Sequence, residues 1–329
     1  MLSGLKAVVT GGFGFIGSHL TEGLLGRGFT VTAFNRDDAN SANIEEIKVH
    51  PGASNLKVVV GEATSLEDVV RTVKGASVVF HLAALTSHRL SLSDPHAYLS
   101  ENVTGTVNVL EAARRVEPTP KVVFASSSSV YGKQDCPWVE TMTPKPEGPY
   151  ALSKHFGEKL CGLYHEQYGI PMVILRYFNV VGERSRGNIV ISVFAERLAK
   201  GLPPQVYGKQ SGSDFVPASR DFTYVGDTVE GTILSAEKQE AVGEVINLGG
   251  GNAHSVLRVA ELMVKEFGVE GRIQPVLEPL SAHESLTSFA DGEKAKKVLG
   301  WTPKVSLEET VRRYCEWFKS RSAQGQVQA

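Results

Sequence analysis

The stretch VVTGGFGFIGSHL, Val8 to Leu20, limits the fold of this chain more than any other. It continues the short β-rich run KAVVT (Lys6 to Thr10). It then opens a segment, Gly14 to Leu25, in which Ile16, Leu20, Leu24 and Leu25 share one side at helical spacing. The glycines fit two patterns: Gly12, Gly14, Gly17 as GxGxxG, or Gly11, Gly14, Gly17 as GxxGxxG. Either lets the backbone approach a pyrophosphate whose charge sits at a helix N-terminus. Glycine in a tight turn is ordinary by itself. A strand before it and a helix after it make the reading specific.

The alternation continues downstream. TVTAF, LKVVVG, SVVFHLAA, KVVFAS and MVILRYFNV read as strands. SLEDVVRTV and the segments Pro95 to Val116 and Tyr150 to Tyr168 read as helices. Strands alternating with helices predict right-handed crossovers and a parallel sheet. Near-continuous Val and Phe in the strands predicts that both faces are covered. Beyond Gly182 the loops lengthen, GEVINLGGG reads as a strand, and helices are expected at Val256 to Phe267 and Leu307 to Ser320. The expected fold class is α/β, a doubly wound parallel sheet over residues 1–182. A smaller mixed α/β part is expected over 183–321, its elements free to interleave with the first, and a frayed polar tail over 322–329.

Composition narrows the partners. Hydrophobic residues are 42% and charged residues 21%, as in soluble globular chains. A net charge of -2 gives no basis for non-specific attraction to nucleic acid or anionic lipid. No apolar run is long enough to span a bilayer, and KAVVTGG begins too early to leave room for a signal peptide. Cys136, Cys161 and Cys315 are scattered, with neither metal-site spacing nor a disulfide framework. No metal and a cytoplasmic location are therefore expected.

Two further stretches carry chemistry. VVFASSSSVYG, Val122 to Gly132, is a buried-strand pattern that stops on four serines. YALSK places Tyr150 and Lys154 at i and i+4, on one helix face. A tyrosine acting as a base at neutral pH needs its pKa lowered by ~3 units, or ~4 kcal/mol; a neighbouring ammonium and a cationic nicotinamide ring can supply that. Tyr and Lys at this spacing are often plain helix surface. Their order, after a dinucleotide-type half and a serine-ended strand, points to a base and its helper. The second strand ends in Asn35-Arg36-Asp37-Asp38, where a carboxylate would read the ribose of NAD. Arg36 can instead pair with a 2′-phosphate. NADP is thus expected to bind at least comparably to NAD.

TGGFGFIGSHL, HLAA, ENVTGT, SSSSVYG, YALSK, RYFNVVGER and RDFTYVGD occur in this order from about Lys6 to Trp317. As a set they resemble the extended short-chain dehydrogenase/reductases that act on nucleotide sugars, and most of all the UDP-hexose 4-epimerases. The resemblance implies a Rossmann-type domain, tightly bound NAD or NADP, a nucleotide-sugar substrate and a homodimer. It implies a triad of Ser127, Tyr150 and Lys154, with Lys154 also holding the cofactor ribose. Gly11, Gly14, Phe15, Ile16, Gly17, Asn35, Arg36, Leu82, Ala83, Ala84 and Asn102 match cofactor positions, and Glu62 with Ala63 falls near adenine. Asn179 and Arg220 match ligands of the diphosphate, and the segment from Asn188 to Phe194, with Val190, covers the base. Ser87, Ser127, Ser128 and Glu284 complete the implied substrate set. The dimer would pair the helices at 95–116 and 150–168, the second carrying Phe156, Leu160, Leu163 and Tyr164.

There are two departures from the family pattern. The loop from Gly208 to Arg220 is longer than usual. Ser281-Ala282-His283-Glu284 stands where relatives often carry Arg-Pro-Gly-Asp/Glu, so the arginine of a second phosphate clamp is missing.

The serines select among reactions. Related 4,6-dehydratases place an acid after the catalytic hydroxyl, and related decarboxylases keep a glutamate there. Those slots hold Ser128 and Ser129. A serine cannot act as the acid or base near neutral pH. What remains is reversible oxidation: Tyr150 takes the carbon-4 hydroxyl proton, hydride moves to nicotinamide, and the 4-keto sugar turns over and is reduced on its other face. That is 4-epimerisation. Ser126, Ser128 and Ser129 also fit plain strand-end capping. The competing expectations are a nucleotide-sugar reductase, a 4,6-dehydratase and a non-catalytic NAD(P)-sensing module.

Overall fold

The computed structural model describes residues 4–36, 41–185, 187, 189–281 and 284–323. The first half builds β1 (Lys6–Thr10), α1 (Phe15–Gly26), β2 (Thr30–Asn35), α2 (Ser41–Lys48), β3 (Leu56–Val60), α3 (Leu66–Val73) and β4 (Val78–His81). Then come α4 (His88–Ser93), α5 (Pro95–Leu99), α6 (Gly105–Arg115), β5 (Lys121–Ser127), α7 (Pro149–Tyr168), β6 (Met172–Tyr177) and β7 (Asn179–Val181). The second half adds α8 (Val190–Ala199), β8 (Gln205–Ser211), β9 (Asp214–Pro217), β10 (Ser219–Arg220), β11 (Phe222–Tyr224), α9 (Val225–Glu237) and β12 (Val245–Leu248). It closes with β13 (His254–Ser255), α10 (Val256–Glu266), β14 (Val276–Pro279), β15 (Thr287–Ser288), α11 (Glu293–Leu299) and α12 (Leu307–Ala323).

The main sheet has seven strands in the order β12-β6-β5-β4-β1-β2-β3, all parallel. The doubly wound sheet expected from the alternation is therefore present. β6 is buried along its whole length and β5 nearly so, as their apolar runs require. β3 is an edge strand and is largely exposed. One core, with Leu20 and Leu24 of α1 and Val229 and Ile233 of α9, lies on one face. A second, with Val69 and Val73 of α3, Val109 and Leu110 of α6 and Cys161 of α7, lies on the other. Strand order reverses between β1 and β4, and ligands of such sheets sit outside the carboxyl ends at this point.

The C-terminal part is smaller and carries three short sheets, β13-β10-β15, β11-β7 and β14-β8-β9. Its own core joins α8, α10 and α12 through Phe194, Met263, Val311, Tyr314 and Phe318. The chain nevertheless returns to the main sheet to add β12 at its edge. The long segment from Gly208 to Arg220 is no open loop. It forms an antiparallel hairpin, Gly208 opposite Pro217 and Ser211 opposite Asp214, turning at Gly212 with φ 63°.

Four expectations change. MVILRYFNV is two strands: Phe178 N–H still bonds Leu248 O, but Asn179 N–H bonds Asp221 O, so β7 leaves the sheet to pair with β11. The helix expected at 95–116 starts on an Asp94 cap with Pro95 in its first turn, and a π-helical stretch, Ser100–Thr104, separates α5 from α6. On α7, Tyr164 is buried and Leu160 half-buried against the chain's own core, while Phe156 and Leu163 are exposed. The tail expected to fray from residue 322 is helical to Ala323, and 324–329 lie outside the described residues.

Candidate functional site

The glycine turn is shaped by contacts that exclude side chains. Gly11 has φ 72°, and a Cβ there would lie 2.9 Å from Ala83 N; one at Gly17 would lie 2.0 Å from Gly11 O. Gly14 takes the N-cap of α1 without any side-chain cap. First-turn amides lack intrahelical partners. With the α1 N-terminus at the cleft, they suit an anion there. The turn thus has the room and the donors for a dinucleotide pyrophosphate. Asn35 Oδ1 accepts from Phe13 N–H at 3.0 Å, so this side chain braces the turn from the end of β2. Asp37 and Asp38 lie outside the described residues.

The turn opens on a continuous cleft of about 1320 Å³, which exceeds a pocket for one drug-sized molecule. Its walls bring together Gly11, Gly14, Phe15, Ile16, Gly17, Asn35, Arg36, Ala63, Leu82, Ala83 and Ala84 at one end. Ser127, Ser128, Tyr150 and Lys154 also line it, and so do Ser87, Asn179, Val190, Arg220 and Glu284. Asn188 lies outside the described residues, while Ile189, Val190, Val193 and Phe194 line the wall.

Two residues named from the sequence are placed elsewhere. Glu62 is exposed and does not line the cleft; its N–H donates to Asp68 Oδ2 at 3.2 Å, and its neighbours Gly61 and Ala63 face the cavity instead. Asn102, buried in the π-helical stretch, is also not a wall residue. Its amide clamps Leu85 from both sides, accepting from Leu85 N–H at 2.8 Å and donating to Leu85 O at 3.0 Å, and donates to Ser153 Oγ at 2.9 Å. It positions the loop after β4 against the helix that carries Tyr150.

Ser127 caps a 3-10 turn, its Oγ accepting from Ser129 N–H at 3.2 Å and Ser129 Oγ at 3.0 Å. Burial pushes the Tyr150 pKa up, and a hydrogen bond from Ser127 opposes this. Burial also lowers Lys154 to about 8. The Lys154 ammonium donates to Ala125 O at 2.8 Å and lies 5.2 Å over the Phe124 ring. The lowering expected at Tyr150 is therefore not supplied by these residues alone, because desolvation outweighs the hydrogen bond and Lys154 is turned toward β5.

The sequence reading missed the polar support beneath the site. Thr106 Oγ1 donates to Asn102 O, so it accepts from His81 Nε2, and His81 Nδ1 accepts from Thr10 Oγ1 at 2.8 Å. Burial, then the Lys154 charge, lowers His81 to about 3 and keeps it neutral. Ser126 Oγ donates to Glu158 Oε1 at 2.6 Å, and Glu158 pairs with Arg176. The signal was present: Glu158 continues the i+4 row of Tyr150 and Lys154, and Arg176 is a charge inside an apolar strand, which must be paired.

At the other end, Arg220 is held by its Nη1 donating to Ser219 O at 2.9 Å and Leu286 O at 3.1 Å. Burial lowers its pKa and Glu284 opposes this. Ser87 caps α4, accepting from Leu90 N–H at 3.1 Å. Ala282 and His283 lie outside the described residues; among the described residues no cluster of His, Cys, Asp and Glu could hold a metal ion.

Known proteins of similar sequence and shape bear directly on this cleft. The family model described as GDP-mannose 4,6 dehydratase matches residues 8–314. A UDP-glucuronate 4-epimerase of Thermodesulfobacterium geofontis is 33% identical over 322 residues, covering 95% of each chain. A UDP-N-acetyl-alpha-D-glucosaminuronate decarboxylase of Bacillus cytotoxicus is 32% identical over 328 residues, covering 95% of this chain and 98% of that one. The crystal structure of UDP-glucuronic acid 4-epimerase from Bacillus cereus, in complex with UDP-glucuronic acid and NAD, matches with a TM-score of 0.87. Its sequence is 30% identical, and the match covers 96% of this chain and 99% of that one. Sequence and fold agree along nearly the whole length, and the chain belongs to the GDP-mannose 4,6-dehydratase family of extended short-chain dehydrogenase/reductases.

Proposed function

We propose that the protein is a nucleotide-sugar 4-epimerase acting on a UDP-hexose or UDP-hexuronate, with NAD held in the cleft. The observation that carries this is the serine pair at 128 and 129 beside the Ser127–Tyr150 hydrogen bond, where an eliminating enzyme needs a carboxylate. The curated 4-epimerase relative and the NAD complex of the Bacillus cereus enzyme support the same reading.

Each residue has a part. Tyr150 removes and returns the proton on the carbon-4 oxygen, and Ser127 orients its hydroxyl. Lys154, whose ammonium donates to Ala125 O, is the residue that would hold the cofactor ribose through its remaining donors. Gly11, Gly14 and Gly17 leave room for the pyrophosphate. Arg220 and Asn179 meet the substrate diphosphate, and Val190 helps cover the base. NAD held at the glycine turn would supply the hydride acceptor and donor for carbon 4 and a positive charge that would lower the Tyr150 pKa.

The working unit is a homodimer built on α6 and α7, where Leu152, Phe156, Leu163 and Tyr168 of α7 are 36–54% exposed. A cytoplasmic setting suits the three free cysteines. Among the described residues no helix is long and apolar enough to cross a membrane.

Incubation of the purified protein with UDP-, GDP- and dTDP-sugars, with products read by NMR, tests the reaction. Inversion at carbon 4 without net use of cofactor is expected. A 4-keto-6-deoxy sugar or a decarboxylated sugar would overturn it.

A further inference from the structure

We propose that Arg89 is a second arginine for the diphosphate of the cleft, beside Arg220, and that the Glu284 carboxylate keeps its place until the nucleotide arrives. The inference rests on the nucleotide-sugar reading above. Arg220 Nη2 lies 3.9 Å from Glu284 Oε2, and Arg89 Nη2 lies 4.0 Å from Glu284 Oε1. All three line the same cleft. Arg89 comes from α4, beyond Ser87, and Arg220 from β10, so one carboxylate spans two parts of the chain.

The charges are unbalanced. Two guanidiniums face a single carboxylate, which leaves one positive charge. The other cations along the cleft are engaged or distant: Lys154 bonds Ala125 O, Lys133 lies 3.2 Å from Glu147, Arg184 pairs with Glu22 and Glu46, and Arg36 is at the end of β2. Neither Glu284 contact is within hydrogen-bond range, and an exposed pair at this separation contributes little. A diphosphate brings two negative charges and oxygens that accept paired guanidinium hydrogen bonds, a stronger match than the carboxylate it displaces. Arg220 is fixed by two backbone carbonyls, whereas the Arg89 side chain is 80% exposed, so that turning it onto a ligand disturbs no packed core.

Calorimetric titration with UDP and with uridine separates the possibilities. Arg89→Ala, at an exposed position, is expected to weaken UDP about tenfold and leave uridine unchanged, the loss of one charge-assisted contact. Glu284→Gln is expected to tighten UDP, because the competing carboxylate is gone. Weakening of both UDP and uridine by Glu284→Gln would make this residue a nucleoside ligand and overturn its role as a stand-in. UDP affinity unchanged in Arg89→Ala, with the wild type binding UDP, would overturn the Arg89 assignment and leave the proposed function intact. Failure of the wild type to bind any of UDP, GDP and dTDP would remove both.

Discussion

Arg176 on β6 grips Glu158 on α7 with two hydrogen bonds, Nε to Oε1 at 2.9 Å and Nη2 to Oε2 at 2.8 Å, with both side chains buried. The carboxylate holds the guanidinium charge, so the Arg176 pKa is raised despite its burial. The same guanidinium lies 4.7 Å over the Tyr131 ring, and Tyr131 donates to Asn247 Oδ1 at 2.7 Å. The pair thus ties the helix of Tyr150 to β6, β12 and, through Ser126, the serine-ended strand. Glu158→Leu leaves Arg176 charged and unpaired, and is expected to cost about 3–5 kcal/mol in urea unfolding. Glu158→Leu with Arg176→Met should recover most of that loss; if it does not, the ion pair is not the source.

Tyr150→Phe removes the hydroxyl that Ser127 holds and keeps the ring that lies edge-on to Tyr98 at 6.4 Å. Turnover is expected to fall at least about 100-fold, the usual scale for a general acid–base group. Cofactor binding and the thermal midpoint should stay near wild type. Normal turnover would remove Tyr150 from the chemistry.

His81 predicts an acid limit. Its folded pKa is depressed to about 3, below the ordinary value of 6.5, so between these values the unfolded chain binds the extra proton. Stability from neutral His81 is present above pH 6.5 and is lost as pH falls toward 3. The slope is at most about 1.4 kcal/mol per pH unit. Denaturant unfolding from pH 7 to 4.5 should show a shallower pH dependence in His81→Gln than in wild type. Equal slopes would place the acid sensitivity in other groups.

Arg36 bears on cofactor choice. It lines the dinucleotide end of the cleft at the end of β2, beside an Asn35 that carries no charge to repel a 2′-phosphate. Arg36→Ala should weaken NADP more than NAD in calorimetric titration of cofactor-stripped protein. A preference for NAD above tenfold, about 1.4 kcal/mol, and untouched by the substitution would deny Arg36 that role.

The dimer prediction concerns α7. Phe156 and Leu163 are 47% and 49% exposed on a helix whose other face packs on the chain's own core. Light scattering at micromolar concentration should give twice the chain mass, and Phe156→Glu with Leu163→Glu should halve it. A monomeric wild type would refute the interface.

What the sequence determined by itself is what the chain does locally. The glycine turn, the alternation of strand and helix, and Tyr150 above Lys154 are short-range patterns. Their consequences follow from backbone sterics and from a helical repeat that needs no distant partner. Tertiary structure alone decided what depends on segments far apart in the chain. Asp221 O draws Asn179 away from the main sheet and so ends β6. The π-helical stretch turns Asn102 onto Leu85 and Ser153 rather than into the cleft. Phe13 claims the Asn35 carboxamide. Glu158 meets an arginine 18 residues on, and Glu284 meets one from α4. Sequence spacing reports which side of an element a residue occupies. It does not report which buried donor or charge will be brought opposite, because a polar group takes the partner that folding delivers once water is excluded.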